Sequence, residues 1–409
     1  MSPESKVMAQ AHTANSKEFT VLMALLMSIV AISIDALLPA LGVIGNDLNV
    51  SHPNEAQYLI SFLFMGMAAG QLICGPLSDA LGRKTVLYWS ISLFFIGSVI
   101  CFFADNLNVM LAGRLIQGLG VAGPYVSTMS IVRDKYHGRE MARVMSVVMM
   151  IFIMVPAIAP SLGQAIMLMA SWRYVFVLYI AYALIIIFWQ FFRLEETLPK
   201  ERRVPFRVST IYSGFREVIT HRVTISYTIC MGLFFGSLIG YLNSSRQIFQ
   251  VQFNTGELFT VYFGLLALVL GVASLINSRI VEKLGMYFVC SRAVMAIIGA
   301  SLFFLAVNLM IETVTLWMFL LYAAILFFSF GLMFGNLNAL AMEPMGHIAG
   351  IASAIIGSVS SVISMTLGTV IGQMYDNTLI PITSGFSILG VLALLFMLYA
   401  EKKRHLVPA

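Results

Sequence analysis

The stretch FTVLMALLMSIVAISIDALLPALGVI, residues 19–44, contains one ionisable side chain, Asp35. It can cross a bilayer as a helix, because roughly 20 apolar residues cover about 30 Å of hydrocarbon. Asp35 lies about 16 residues into the span, or roughly 24 Å along a helix, and this depth argues against a position at the water interface. A carboxyl group inside a span usually faces a protein-lined cavity or a partner, so Asp35 is the leading functional candidate. The alternative is a structural ion pair.

The whole chain has the composition of a membrane protein. Of its 409 residues, 59% are hydrophobic and 11% are charged, and the mean hydropathy is +0.91. Soluble domains carry about 25% charge. Continuous apolar runs, instead of short alternating segments, predict helices and not a barrel. The four cysteines show no metal spacing, and we expect neither a metal nor a cofactor. The basic pI reflects loop charges, so nucleic acid is not an expected partner.

Apolar runs between charged or turn-rich segments predict twelve membrane spans. They lie near residues 19–45, 55–78, 84–104, 107–131, 140–167, 171–192, 222–247, 257–280, 285–308, 315–341, 348–373 and 381–400. The most charged segment follows the sixth span. We therefore expect an all-α membrane protein of two pseudo-symmetric six-helix bundles, residues 1–192 and 222–409, joined by a cytoplasmic linker, residues 193–221. A weak repeat, LSDALGRK at 77–84 and IVEKLGMY at 280–287, suggests duplication.

Basic residues predict the orientation of the spans. Outside the linker, most fall on the side of the two termini: Arg83, Lys84, Arg133, Lys135, Arg139, Arg143, Arg279, Lys283, Lys402, Lys403 and Arg404. Loops on the cytoplasmic side of a membrane are enriched in Lys and Arg, so both termini should be cytoplasmic.

The loop after the second span reads GPLSDALGRK, residues 75–84, and resembles the signature loop of the major facilitator superfamily. Gly75 removes a side chain where two helices approach closely. Asp79 can face the positive amino terminus of a helix, and Arg83 can hold it there. The resemblance implies a latch made by Gly75, Asp79, Gly82, Arg83 and Asp134 against the eleventh span, closing the cytoplasmic side. The alternative is a basic turn that only fixes topology.

The fourth span carries Arg114 in LAGRLIQGLGVAG, residues 111–123, which resembles a second motif of the same superfamily. Arg114 and Asp35 lie at similar depths on helices of opposite direction. We expect them to pair, directly or through water, in at least one conformational state. Burial disfavours the charged form of Asp35 and a nearby guanidinium favours it, so this carboxyl group could change protonation when the site opens. The alternative is that Arg114 extends outward to the membrane surface.

The fifth span contains PAIAPSLGQ, residues 156–164, which resembles the antiporter motif of drug exporters. Pro156, Pro160 and Gly163 keep the spacing of that motif, while Ala159 and Gln164 replace two of its glycines. The alternative is that the two prolines only kink the helix for packing.

Further segments resemble the bicyclomycin/chloramphenicol-resistance (Bcr/CflA) branch of drug:proton antiporters. They are SIDALLPAL at 33–41, VRD at 132–134, NLNALAMEP at 336–344 and AGIASA at 349–354. The resemblance implies a monomer in the bacterial inner membrane that exports small antibiotics, with drugs and protons as its partners. The rival interpretations are a transporter of a sugar, amino acid or siderophore, a membrane-embedded enzyme, and a channel. No cluster of His, Asp and Glu at one depth supports an enzyme.

The drug site is poorly specified by the sequence, because adaptable apolar walls bind unrelated ligands. Candidate substrate residues are polar or aromatic side chains chosen by their position in the spans: Tyr58, Ser61, Tyr125, Tyr241, Asn243, Gln247, Asn336 and Asn338.

Overall fold

The computed structural model describes residues 3–136, 138–311 and 313–402, and its regular elements are helices. Lys403 and Arg404, which were used to predict orientation, lie outside the described residues, as do the side chains of Arg139 and Arg143. The α-helices are α1 Pro3–Asp35, α2 Leu41–Asp47, α3 Tyr58–Leu81, α4 Arg83–Phe102, α5 Leu107–Lys135, α6 Gly138–Met169, α7 Arg173–Arg193, α8 Val208–Thr220, α9 Arg222–Arg246, α10 Phe259–Leu284, α11 Met286–Met310, α12 Leu316–Met342, α13 Ala349–Gln373 and α14 Ile380–Glu401.

Twelve of the described helices have membrane-spanning length, as the sequence predicts. Eleven segments are long and apolar enough to cross a bilayer, and one of these, Leu316–Gln373, contains both α12 and α13. The 3-10 turn Glu343–Ile348 separates these two helices, and Met345 within it has non-helical dihedral angles. Apart from the first span, the observed ends lie within about four residues of the predicted ones, which is close to the usual ambiguity of helix ends.

The first span is broken, where the sequence analysis expects one continuous span. Helix α1 ends at Asp35, a 3-10 turn covers Leu38–Ala40, and α2 begins at Leu41. Pro39 explains the break: it has no N–H to donate to the carbonyl of Asp35, four residues earlier, and its ring would clash with that carbonyl. Irregular backbone is tolerated at membrane depth when protein covers it, and Leu37 and Leu38 are fully buried. Asp35 is therefore the last residue of a helix inside the membrane.

The helices form two pseudo-symmetric bundles of six membrane-length helices. In the first bundle, α1 packs on α6, α3 on α5, and α4 on α7. The corresponding pairs in the second bundle are α9 on α13, α10 on α12, and α11 on α14. Contacts between the bundles repeat the same symmetry, because α3 packs on α13 and α6 packs on α10. These two seams are the most extensive contacts between the bundles.

Small residues allow the closest approach within the first bundle. A Cβ atom at Gly118 of α5 would overlap the carbonyl of Leu63 in α3, and one at Gly66 would overlap the carbonyl of Leu115. Helices in lipid gain their association energy from such close packing, since lipid tails supply no hydrophobic driving force. The α3–α5 pair is thus a rigid support for the residues that face the second bundle.

Candidate functional site

Asp35 lies between the two bundles and has no hydrogen-bond or ion-pair partner among the residues that the structure describes. Its side chain is buried, with a relative exposure of 4%. No hydrogen bond or ion pair joins its carboxylate to any residue that the structure describes. The hydroxyl groups of Tyr179 in α7 and Tyr241 in α9 are within its electrostatic reach. A buried carboxylate without a partner is costly, so this position is suited to binding a proton or a ligand.

Tyr241, in the opposite bundle, lies within the electrostatic reach of Asp35. It is 2% exposed, and its hydroxyl has no hydrogen-bond partner among the described residues. Its ring stacks on Phe263, with the ring centroids 6.1 Å apart, and meets Phe327 edge-on at 5.1 Å. An unsatisfied buried hydroxyl costs free energy unless another group completes it. Among the sequence-predicted substrate residues, Tyr241 is the one that the structure places near Asp35.

Arg114 is fully buried and bonds to the backbone near Asp35 without reaching its carboxylate. Its Nη2 donates to the carbonyl oxygen of Ser33 at 3.0 Å, and its Nε donates to that of Leu59 at 2.9 Å. Its Nη1 donates to Oε1 of Gln117 at 2.8 Å. Arg114 therefore joins α1, α3 and α5. The predicted pair with Asp35 is not formed in this conformation, and the guanidinium, with 0% exposure, does not extend to the membrane surface.

The predicted antiporter motif lies against the break that follows Asp35. Pro156 and Pro160 are inside α6, and Gly163 follows one turn later. A Cβ atom at Gly163 would overlap the carbonyl oxygen of Ala36. Helix α6 can therefore pack against the broken span only because this position has no side chain.

On the side of the termini, the structure brings three predicted latch residues together. Arg83 donates from Nη1 to Oδ1 of Asp79 at 2.5 Å and from Nε to Oδ2 of Asp134 at 3.1 Å. Its Nη1 also donates to Oγ of Ser78 at 2.9 Å. The guanidinium is nearly buried, so solvent screens these interactions less than it would at an open surface.

The same loop faces the amino terminus of α13. Oδ2 of Asp79 lies 3.5 Å from the position that a Cβ atom of Gly350 would occupy, in the first turn of α13. One turn further into the membrane, Gly75 lies against Ala354 of α13, whose Cβ atom is 3.0 Å from the corresponding position. A carboxylate is favourable at a helix amino terminus, where unpaired N–H groups give a partial positive charge.

Glu196, which follows α7, bonds to the same loop, and the sequence analysis did not identify it. Its carboxylate accepts hydrogen bonds from the backbone N–H groups of Arg83 at 2.9 Å and Lys84 at 3.2 Å, and so caps the start of α4. Arg203 of the linker pairs with it at 3.9 Å. Gly82 has φ = +107°, and a Cβ atom there would overlap the Glu196 carboxylate. The only sequence signal for Glu196 is a charged residue after the sixth span.

At the opposite end of the α3–α13 seam, four side-chain amides form an outer amide network, consisting of Asn54, Gln57, Gln247 and Gln373. Asn54 Nδ2 donates to the carbonyl of Gln373 at 3.1 Å, and Gln373 Nε2 donates to the carbonyl of Asn54 at 2.7 Å. Gln247 Nε2 donates to Oδ1 of Asn54, and Gln57 Nε2 donates to Oε1 of Gln247, each at 2.7 Å. Gln247, predicted to bind substrate, is thus placed in a contact between bundles.

Tyr375 extends this network and keeps it uncharged. Its carbonyl accepts from Asn54 at 3.0 Å, and its hydroxyl donates to Oε1 of Gln252 at 3.1 Å. Burial, with a smaller contribution from Asp376, raises the pKa of Tyr375 to about 12, so the hydroxyl stays protonated at physiological pH. Helix α13 is therefore held at both ends by the first bundle: by Asp79 at its start and by Asn54 at its last carbonyl.

The remaining predicted substrate residues are dispersed. Ser61 and Thr369 join their hydroxyl groups across the seam at 2.6 Å. Asn243 donates to the carbonyl of Gly368 at 3.2 Å, and Asn336 donates to Oδ1 of Asn277 at 2.9 Å, so both connect helices inside the second bundle. Three others make no side-chain hydrogen bond with the described residues: Tyr58 and Tyr125 are half-buried, and Asn338 is exposed.

The structure adds Gln71 to the residues that face the seam at membrane depth. Gln71 is buried in α3, and its Oε1 has no hydrogen-bond partner among the described residues. This oxygen lies 2.7 Å from where a Cβ atom of Gly357 in α13 would be. A lone amide in an apolar span is a visible sequence signal, and the sequence analysis did not use it.

Comparisons with known proteins agree with this architecture. Residues 23–369 match the profile of the Major Facilitator Superfamily. The chain is 26% identical over 387 residues to a bicyclomycin resistance protein homolog of Haemophilus influenzae, covering 93% of this chain and 96% of the relative. It is 30% identical over 376 residues to the multidrug resistance protein MdtL of Escherichia coli O139:H28, covering 89% and 91%. An uncharacterized MFS-type transporter of Bacillus subtilis, YdgK, is 27% identical over 96% of this chain and 98% of its own.

Solved structures share the fold at low sequence identity. The human organic anion transporter MFSD10 superposes with a TM-score of 0.71 at 16% identity, covering 94% of this chain and 99% of that one. The xylose transporter XylE of E. coli superposes with a TM-score of 0.73 at 13% identity, covering 97% and 98%. Since the family profile and the relatives each span most of the sequence, the chain belongs to the Major Facilitator Superfamily and is a multi-pass membrane transporter, not an enzyme.

Proposed function

We propose that the protein is a proton-coupled multidrug efflux antiporter that exports small antibiotics of the chloramphenicol or bicyclomycin kind. The observation that carries this proposal is the buried carboxylate of Asp35, at a helix break between the bundles, which has no hydrogen-bond or ion-pair partner among the described residues. The relatives named for bicyclomycin and multidrug resistance support the substrate class.

The coupling follows because a proton and a drug compete for the carboxylate of Asp35. A proton from the outer side neutralises Asp35 and removes the cost of burying its charge while the empty carrier returns. Release of that proton to the cytoplasm leaves a carboxylate that a drug can stabilise. A drug drives proton exit only if it binds the deprotonated state better than the protonated one. We infer that the hydroxyl of Tyr241, which has no hydrogen-bond partner among the described residues, contacts the same ligand from the second bundle.

Alternating access would use the two ends of the α3–α13 seam. Opening to the outside breaks the outer amide network while the latch around Asp79 and Arg83 holds, and opening to the inside does the reverse. Rocking of two repeated bundles about a central site is the common scheme for such folds. We propose bundle boundaries at 1–192 and 222–409, a linker at 193–221, cytoplasmic termini, a bacterial inner-membrane location and a monomeric carrier.

Proton movement in inside-out vesicles tests the proposal. A pH-sensitive dye reports the lumen while chloramphenicol, and then a panel of other drugs, is added after energisation. We expect drug-induced alkalinisation of the lumen in the native protein and none in Asp35→Asn, which keeps shape and insertion but cannot release a proton at this site.

The matched control is Asp105→Asn, because the side chain of Asp105 is 92% exposed at the start of α5 and should not contribute to coupling. An equal drug response in Asp35→Asn and native protein would overturn the role of Asp35. A folded native protein that responds to no drug would instead favour transport of a metabolite.

A further inference from the structure

Helix α8 in the linker has two apolar stripes, and only one of them is covered by protein. Gly214 and Val218 form the covered stripe: a Cβ atom at Gly214 would meet the side chain of Ile351 in α13, and Val218 is fully buried. Tyr212, Phe215 and Ile219 follow one another at spacings of three and four, so they form the second stripe. Tyr212 is 69% exposed, and the other two are also exposed.

The uncovered stripe lies beside the bilayer surface. Helix α8 ends at Thr220 and the membrane-spanning α9 begins at Arg222, so one residue separates them. Val204 and Phe206, just before α8, are also exposed and extend the apolar surface. A short helix at this level can lie in the membrane plane and place such a stripe among headgroups and the upper acyl chains.

The charge around the stripe is complementary to anionic lipid. Residues 200–222 contain six basic and two acidic side chains, a net charge of +4 with His221 neutral. Arg216 is exposed and follows Tyr212 by four residues, so it borders the stripe, and Arg207 immediately precedes the helix. Basic residues within a Debye length of an anionic leaflet are attracted to it.

Helix α8 also contacts the segment that receives the latch. Oε1 of Glu217 lies 2.7 Å from Nε2 of His347, in the 3-10 turn that leads into α13. At the other end of the linker, the N–H of Val204 donates to the carbonyl of Asp79 at 3.1 Å. A force on α8 is therefore transmitted to both partners of the latch.

We propose that α8 is an interfacial helix that binds anionic phospholipid on the latch side of the membrane, through Tyr212, Phe215 and Ile219 and the flanking arginines. Lipid binding at this helix holds the start of α13 in place for Asp79. The occupant is the lipid surface; a second copy of the chain or another protein on the same stripe is an outcome that the test below separates from it.

Spin labels measure what covers the stripe. Cysteines introduced singly at Phe215 and Ile219, with Ser209 and Ser213 on the other exposed side as controls, carry a nitroxide in nanodiscs that contain phosphatidylglycerol. The four native cysteines are buried and react slowly with a bulky label. Collision with oxygen, which concentrates in lipid, and with a water-soluble nickel chelate is measured at each position.

We expect oxygen access to exceed nickel access at 215 and 219 and the reverse at 209 and 213. Greater nickel access at the stripe positions would overturn the proposal by placing the stripe in water. Protection from both reagents would also overturn it, because a protein would then cover the stripe. The arginine contribution is tested with Arg207→Gln combined with Arg216→Gln. In this double variant, oxygen access at 215 and 219 should be the same in nanodiscs with and without phosphatidylglycerol. A difference in oxygen access as large as in the native protein would contradict the role of the arginines.

Discussion

Asp35 and Arg114 are both buried ionisable residues of the first bundle, yet their surroundings give them different roles. Arg114 donates three hydrogen bonds, to Ser33, Leu59 and Gln117, so its charge is spread over fixed acceptors. Asp35 has none of these interactions with described residues. A group with satisfied bonds stabilises one arrangement, whereas an unsatisfied one gains most from an external proton or ligand.

Replacement of Arg114 by Lys should therefore destabilise the protein, while Asp35→Asn should not. A lysine keeps the charge but cannot reach all three acceptors in the guanidinium geometry. The expected loss is on the order of 2 kcal/mol, since hydrogen bonds to charged groups contribute about that much each. Thermal unfolding in detergent, followed by intrinsic fluorescence, measures the change.

Asp35→Asn is the comparison for this experiment, because it alters a buried ionisable group of the same bundle without removing a bond seen in the structure. If Arg114→Lys unfolds at the native temperature and still couples drug to proton, the three bonds have no structural importance. Loss of coupling at native stability would instead support a direct pairing with Asp35 in another state.

At the scale of elements, the break between α1 and α2 depends on two helices. Pro39 prevents α1 from continuing past Asp35. Gly163 lets α6 pack directly on the carbonyl of Ala36, within the break. Pro39 ends helix α1, and Gly163 allows α6 to cover the end of that helix. Their combination keeps an irregular segment inside the membrane without contact with lipid.

Gly163→Ala should strain this contact. The added methyl group would overlap the carbonyl of Ala36, and overpacking of this kind costs about 1 to 3 kcal/mol. We expect lower thermal stability and weaker drug export, measured by unfolding in detergent and by antibiotic susceptibility of a pump-deficient host.

The matched control for this variant is Gly299→Ala in α11, where nothing lies within 4 Å of the new Cβ atom. That variant should behave like the native protein. Equal behaviour of the two alanine variants would contradict the packing role given to Gly163.

At the scale of the whole molecule, helix α13 is held at both ends by the first bundle. Asp79 faces its amino terminus, and Asn54 bonds to the carbonyls of Gln373 and Tyr375 at its other end. Alternating access requires the two ends to separate in turn. Both openings must therefore change the equilibrium between the closed and open forms of the seam between α3 and α13.

Weakening the contacts at one end of the α3–α13 seam or at the other should shift the carrier in opposite directions. Asn54→Ala removes bonds of the outer amide network and should favour opening to the outside, while Asp79→Asn weakens the latch and should favour opening to the inside. A net hydrogen bond contributes about 1 kcal/mol and each variant loses at least one, so each population should change by at least about fivefold. Pulsed dipolar spectroscopy between labels at Ser51 and Asn377 reports the outer separation, and labels at Phe192 and Lys402 report the inner one.

The double variant is the internal check, because its two shifts should largely cancel if both contacts act on one equilibrium. Shifts in the same direction from the two single variants would contradict the two-ended scheme.

Much of the architecture is legible in the sequence because the membrane imposes it. Spans must be long, apolar and helical, so their number and ends follow from hydropathy alone. The latch residues Asp79 and Arg83 follow from a short motif, and Pro39 is a local signal for the break at Asp35, although one continuous span was expected there. Asp35 itself is conspicuous because it is a lone charge in a hydrocarbon-length segment. These features are local, and local sequence contains the physical rule that produces each one.

The tertiary structure determined which distant residues contact each other. Glu196 caps α4 from 113 residues away, Gln57 bonds to Gln247 across 190 residues, and Asn54 bonds to the carbonyl of Gln373 across 319. The proximity of Tyr241 to Asp35 and the absence of a direct Asp35–Arg114 pair are likewise set by how the bundles pack. Such contacts obey no spacing along the chain, because they depend on how the helices pack within and between the two bundles. The sequence alone therefore determined which side chains enter the membrane, and only the packed bundles determined which of them meet.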